Sequence, residues 1–146
     1  MKIVYCPFTD ISITSDATQD LWSLMAGANN QIRLLDWEIT SADLAAEIVS
    51  LTLKRITAVG SVGAAATEVL ADENAAAITG SVRTGDTTPG TAGAILQSFQ
   101  WEQLGPLGKI YVPETRPLIQ ESQGIALVCN TALTITMSGY VIWGEL

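Results

Sequence analysis

The sequence predicts an all-β fold: one antiparallel β-sandwich or jelly roll of about eight to ten strands with a long Ala/Gly/Thr-rich excursion. Three observations carry this. The stretch Leu133–Leu146 alternates, with Ile135, Met137, Val141 and Trp143 on one face and Thr134, Thr136, Ser138 and Tyr140 on the other, the period of a half-buried strand. Similar short alternating runs recur between turn signals along most of the chain. No helical pattern is long enough to cross over between parallel strands.

The elements follow in order. Ile3–Tyr5, closed by Pro7, and Asp10–Thr14 read as two short edge strands. Gln19–Met25 has apolar residues on both faces, as expected of a strand between the core and an interface, and Gly27–Asn30 supplies turn residues. Over Gln31–Thr40 the apolar face changes from Ile32 and Leu34 to Leu35, Trp37 and Ile39, and such a slip predicts a β-bulge near Leu34 and Leu35. Ser41–Ala46 can cap a short helical turn; Glu47–Ile56 is a strand with Val49, Leu51 and Leu53 on one face and Lys54 and Arg55 at its exit.

From Thr57 to Gly93 small residues dominate, so 57–93 reads as a surface excursion within the single 1–146 domain. Alanine propensity favours a helix over Ala64–Ala77, but Val69, Leu70 and Ile78 make no helical stripe, and extended structure is the expectation. Thr84–Gly93 reads as a loop. Ala94–Trp101 follows as a strand with Ile95, Phe99 and Trp101 on one face, Gly105–Gly108 as a turn, Lys109–Val112 as a strand ended by Pro113, Pro117–Ile119 as an edge, Gly124–Cys129 as an apolar strand and Asn130–Ala132 as a turn.

Composition bounds function. The chain has 146 residues, 48% hydrophobic and 15% charged, which is too apolar for a disordered chain and lacks a run of about 20 apolar residues that would span a bilayer. No membrane partner is expected. The segment Met1–Phe8 has one lysine, no long apolar core and no small-residue cleavage site, so folding in a cytoplasm is expected. A net charge of −8 with scattered basic residues repels a phosphate backbone, so no nucleic acid is expected either. So few charges on so apolar a chain imply a rich core or a partner covering apolar surface. Cys6 and Cys129, far apart and outside any C-x-x-C pair, read as buried free thiols.

No histidine is present, which removes Ser-His-Asp and Cys-His catalysis and the usual zinc and iron sites. The carboxylate pairs Asp36/Glu38 and Asp72/Glu73 are the available acid/base candidates, though their spacing suits solvated surface. Asp10, Asp16 and Asp20 do not match a calcium loop, and Gly60–Gly63 lacks the Lys-Ser/Thr of a phosphate loop, its glycines reading as flexibility. The expectation is therefore no enzyme, no cofactor, no metal and no catalytic residue. Trp22, Trp37, Trp101 and Trp143 lie in alternating strands, which favours core or oligomer interface over a sugar-stacking platform; Trp22, Trp37 and Trp143 are the candidate interface residues.

The strand Glu47–Arg55, the stretch Ala77–Thr88, the Trp101 strand, Pro113–Pro117 and the ending Met137–Glu145 together resemble head decoration, or capsid cement, proteins of tailed bacteriophages with a jelly-roll fold. The likeness spans roughly residues 30 to 146 and rests on the order of features. It implies a structural virion protein on the outer capsid surface, a homotrimer that bridges neighbouring capsomers, with the major capsid protein as partner and no catalytic residues. The competing expectation is a tail or receptor-binding jelly-roll module that recognises a host glycan.

Overall fold

The structure, a computed structural model, describes residues 1–15, 18–43, 47–73 and 75–146. Its strands are β1 (Lys2–Ser15), β2 (Gln19–Met25), β3 (Ile32–Ser41), β4 (Ile48–Ala58), β5 (Ala64–Ala65), β6 (Val69–Leu70), β7 (Ser81–Asp86), β8 (Thr91–Glu102), β9 (Leu107–Ile110), β10 (Leu118–Ile119), β11 (Gly124–Cys129) and β12 (Leu133–Glu145). A 3-10 turn, Pro113–Thr115, joins β9 to β10. The strands form two antiparallel sheets. The first runs β10-β3-β12-β1-β6, with β9 also paired to β3; the second runs β5-β7-β2-β11-β4-β8. The fold is a β-sandwich.

Its core lies between the sheets, where Trp22, Leu24, Leu51, Leu53, Ile125 and Leu127 of the second meet Val4, Leu34, Trp37, Ile39, Val141 and Trp143 of the first. β2 and β11 are buried almost throughout, on both faces. The expected inner face of β12 is observed: Ile135, Met137, Val141 and Trp143 are all buried.

Bulges keep apolar side chains inside. In β1 the pairing to β12 shifts between Phe8 and Ile11, so Thr9 and Asp10 oppose Ser138; Asp10 takes a φ of 53°, and its N–H donates to the Ser138 hydroxyl at 3.0 Å. The extra residue changes the inward parity from Val4, Cys6 and Phe8 to Ile11 and Ile13. Thus the two short edge strands expected over Ile3–Tyr5 and Asp10–Thr14 are one bulged strand inside the first sheet. Pro7 is tolerated there because its missing donor lies on the side where β6, paired only at Val4 and Tyr5, has already ended. The bulge expected in β3 is present: Ile142 pairs with Asp36 and Trp143 with Leu34, leaving Leu35 unpaired.

Other boundaries differ from expectation. β4 runs past Lys54 and Arg55 to Ala58, because β8 and β11 pair with it on both sides. The segment 57–93 supplies β5, β6 and β7 at sheet margins; Val82 reaches the core, although most of the segment is exposed. Ala64–Ala65 and Val69–Leu70 are extended rather than helical. Thr84–Asp86 belongs to β7 and β8 already begins at Thr91, so the loop expected over Thr84–Gly93 shrinks to residues 87–90. β9 starts at Leu107, two residues before its expected start. In β8 the pairing passes from Gln97 to Ile95 and skips Leu96, which turns Ile95 outward, 58% exposed, away from Phe99 and Trp101. Residues 44–46 of the expected helical turn lie outside the described residues.

Candidate functional site

The tryptophans occupy the interior. Trp22, Trp37 and Trp143 are fully buried within one chain and Trp101 is 1% exposed. This corrects the expectation that Trp22, Trp37 and Trp143 form an interface: the two sheets of the same molecule cover them. Trp22 and Trp37 meet across the sandwich with centroids 5.7 Å apart, and Trp37 meets Phe99 edge-on at 5.4 Å. The Trp37 indole N–H donates to the Tyr111 hydroxyl at 3.4 Å, and that hydroxyl donates to Gln97 Oε1 at 2.8 Å. Burial pushes the Tyr111 phenol up, against the opposing hydrogen bond from Trp37.

The two nominated carboxylate pairs lie apart, one on β3 and the other after β6. Asp36 and Glu38 alternate on β3 and share a face, with the Tyr140 hydroxyl donating to Asp36 Oδ2 at 3.4 Å. Burial and then the charges of Asp36 and Glu38 push the Tyr140 phenol up. Asp72 and Glu73 are exposed in the turn after β6. Asp10 lies in the first sheet and Asp20 in the second, while Asp16 is outside the described residues. No group of three or more potential metal ligands occurs among the described residues.

Two carboxylate clusters escape sequence reading because their members are far apart in the chain. Asp20 and Asp86 are opposite one another on β2 and β7 and nearly fully buried. Asp86 accepts two hydrogen bonds from the Arg83 guanidinium and one from the Gly63 N–H; Asp20 accepts from the Gly90 N–H at 2.8 Å. Burial pushes Asp20 up, against the pull of Gly90, and the Asp86 charge adds to the rise while Lys54 reduces it. These contacts pin the loops on either side of β5 and β7. Gly60, Gly63 and Gly90 are needed there for close approach, since a Cβ at each would strike the carbonyls of Thr88, Thr84 and Ala58 respectively. Close packing, not flexibility, explains these glycines. The second cluster centres on Glu145, which accepts from the N–H groups of Thr79 at 2.9 Å and Gly80 at 2.7 Å and pairs with the Lys2 ammonium at 2.7 Å.

The arrangement best suited to a ligand is the open side of the sandwich. Where β8 of one sheet faces β9, the 3-10 turn and β10 of the other, Arg55, Leu96, Gln97, Lys109, Tyr111, Thr115 and Pro117 line a cleft of about 350 Å³. Its size and its mixture of apolar wall and convergent polar groups suit a bound side chain or small ligand. Arg55 reaches it from β4 and is steadied by donating to the Leu118 carbonyl at 2.9 Å; Arg116, next to the lining residue Pro117 in the chain, donates to the Tyr111 carbonyl at 3.3 Å. The described ion pairs engage Lys2 and Arg83, so Arg55 and Lys109 face the cleft without a carboxylate partner among the described residues. In a chain of net charge −8 the cleft is therefore a local positive site.

No family model matches the chain, and no curated protein does. Among solved structures it is similar to a mutant VP2 protein of infectious bursal disease virus from T=1 particles, with 14% identity and a TM-score of 0.25 over 99% of this chain and 40% of that one. A structure of the Gx strain of the same virus gives 16% identity and a TM-score of 0.22, covering 99% and 42%. The chain thus spans about two fifths of the length of either viral chain. At that level of likeness neither protein defines the fold or function of this chain.

Proposed function

We propose that this protein is a structural virion component: a head decoration protein of a tailed bacteriophage that sits on the outer capsid surface, binds the major capsid protein and bridges neighbouring capsomers as a homotrimer. The observation that supports this reading best is the strand order. Passing along β1, β2, β3 and β4 the chain changes sheet at every step; after β8 it returns to the first sheet for β9 and β10, then places β11 between β2 and β4 and β12 between β1 and β3. Interleaving of this kind supports a jelly-roll reading of the β-sandwich, an architecture used by viral capsid and lectin domains. Together with the resemblance in feature order, it favours a rigid block that acts through its surface. A ligand that binds the assembled shell and not its free subunits stabilises the shell by mass action, and a trimer multiplies weak identical contacts.

The test is binding to expanded capsids that lack the protein. Wild-type protein should bind them, raise their resistance to heat, bind isolated capsid subunits weakly, and behave as a trimer by light scattering. Failure to bind any capsid, combined with retention on a glycan array, would replace this reading with the receptor-binding module. The burial of all four tryptophans weighs against a tryptophan sugar platform.

A further inference from the structure

Among the sheet edges of this molecule, β8 is long and unprotected. β5, β6 and β10 are two residues long, and β9 has four, including Lys109. β8 has twelve residues, contains no Lys, Arg or Pro, and carries one charge, Glu102, at its end. Soluble proteins blunt free edges by shortness, charge, proline or bulges. The irregular pairing of β8 is confined to its first half; from Gln97 to Glu102 it pairs regularly with Leu53 to Ile48.

Neighbouring bonds identify the free backbone groups. The Ser50 carbonyl accepts from Asn130 on the β11 side, and the Glu47 carbonyl accepts from Gln103 on the β8 side. Because a strand's N–H and C=O groups reverse direction at each residue, Val49, Leu51 and Leu53 bond toward Trp101, Phe99 and Gln97. The N–H groups of Ser98, Gln100 and Glu102 and the carbonyls of Ser98 and Gln100 then point to the open side; the Glu102 carbonyl is already taken by the Gly105 N–H. All three residues are exposed. Beside this edge lies the Arg55/Lys109 cleft, into which Gln97 projects.

We propose that the free edge of β8 accepts an extended segment of a partner protein as an added strand, with an acidic side chain of that segment entering the Arg55/Lys109 cleft. Backbone pairing supplies affinity in such strand addition, and alternate side chains supply specificity. The cations select the acid. A second copy of β8 does not meet the requirement, because its one acid, Glu102, shares the parity of Ser98 and Gln100, whose side chains lie on the outer face, away from the cleft. The edge and the cleft are argued from their own geometry, and the identity of the partner rests on the decoration reading, under which the segment belongs to the capsid protein.

The test uses the whole protein and two synthetic peptides of alternating threonine and valine, one with a central glutamate and one with a central lysine. The glutamate peptide should bind at least about tenfold more tightly, since like-charge juxtaposition is strongly penalised, and should slow amide hydrogen exchange at Ser98, Gln100 and Glu102. Gln100→Pro removes an outward N–H and spares the ladder to β4, so binding should be lost at unchanged melting temperature. If that variant unfolds, the doubly substituted Arg55→Gln, Lys109→Gln protein carries the decision by binding both peptides equally. Equal or absent binding of the two peptides to wild type, protection at other amides, or self-association through these amides would overturn the proposal. Capsids that bind a folded Gln100→Pro protein at full affinity would overturn it while leaving the decoration reading; peptide binding without capsid binding would do the reverse.

Discussion

Glu145 shows how one side chain can hold three segments together. Its carboxylate ties Lys2 of β1 and the Thr79–Gly80 segment ahead of β7 to the end of β12, with the Trp143 indole N–H a further donor at 3.4 Å. Burial alone pushes its carboxyl up, but the donors from Gly80, Lys2, Thr79 and Trp143 outweigh that and hold it below the usual range. A folded value below the unfolded 4.5 means that the stability it contributes is present above about pH 4.5 and is lost as pH falls through the lower, folded value. Asp20 has the opposite sign: raised above 3.8, it costs stability near neutral pH, and that cost is relieved as pH falls through its folded value. Glu145→Ala should therefore cost about 3 kcal/mol at pH 7, because the Thr79 and Gly80 N–H groups lose their acceptor, and should flatten the acid limb of the stability curve. Asp20→Asn should be neutral or stabilising at pH 7, since the amide oxygen can still accept from Gly90. Urea midpoints across pH 3 to 8 check both. A Glu145→Ala protein as stable as wild type at pH 7 would remove the lock.

At the element scale, bulges decide which side chains are inside. Leu35 is the extra residue of β3; before it Ile32 and Leu34 face the core, after it Trp37 and Ile39 do. Deleting Leu35 would turn one pair outward and should cost about 3 to 6 kcal/mol, from roughly 1.5 to 3 kcal/mol for each large side chain lost from the core, read as a fall in urea midpoint. A deletion that leaves the midpoint unchanged would show that the register is not fixed here. This bulge was legible because large apolar residues stand on both sides of the slip. β2 and β11 were legible to the residue, β2 because apolar residues stand on both of its faces ahead of the Gly27–Asn30 turn, and β11 because it is an apolar run ahead of the Asn130–Ala132 turn. The bulge in β1 was not, since Pro7 and Asp10 look like strand ends when β12 is not yet known to pair through them. Nor was that in β8, where Ile95, Phe99 and Trp101 keep a false common parity in sequence. The cleft was invisible for a different reason: Arg55, Gln97 and Tyr111 meet only because β4 and β8 of one sheet lie over the β9–β10 connection of the other.

For the whole molecule, the thiols report on integrity. Cys6 and Cys129 are free and buried, and burial, followed by the Glu68 charge, pushes the Cys6 thiol up to about 12. Neither should react with a thiol reagent at neutral pH until the sandwich opens, so their rates should track global unfolding; prompt reaction in native buffer would reveal local opening. The tryptophans were expected in core or interface, and only the closed sandwich shows that the molecule covers them unaided. The pairing of β1 with β12 along nearly the whole length of both strands also has a kinetic side. On the ribosome the first strand emerges well before its partner, and at synthesis rates of about 5–20 residues per second it waits several seconds for the last strand to appear. During that interval Val4, Cys6, Phe8 and Ile13 have no sheet to lie in, and closure of so distant a pair is intrinsically slow. Nascent chains halted after Cys129 should therefore be the aggregation-prone, chaperone-dependent species, and release of Leu133–Glu145 the event that commits the chain to its fold.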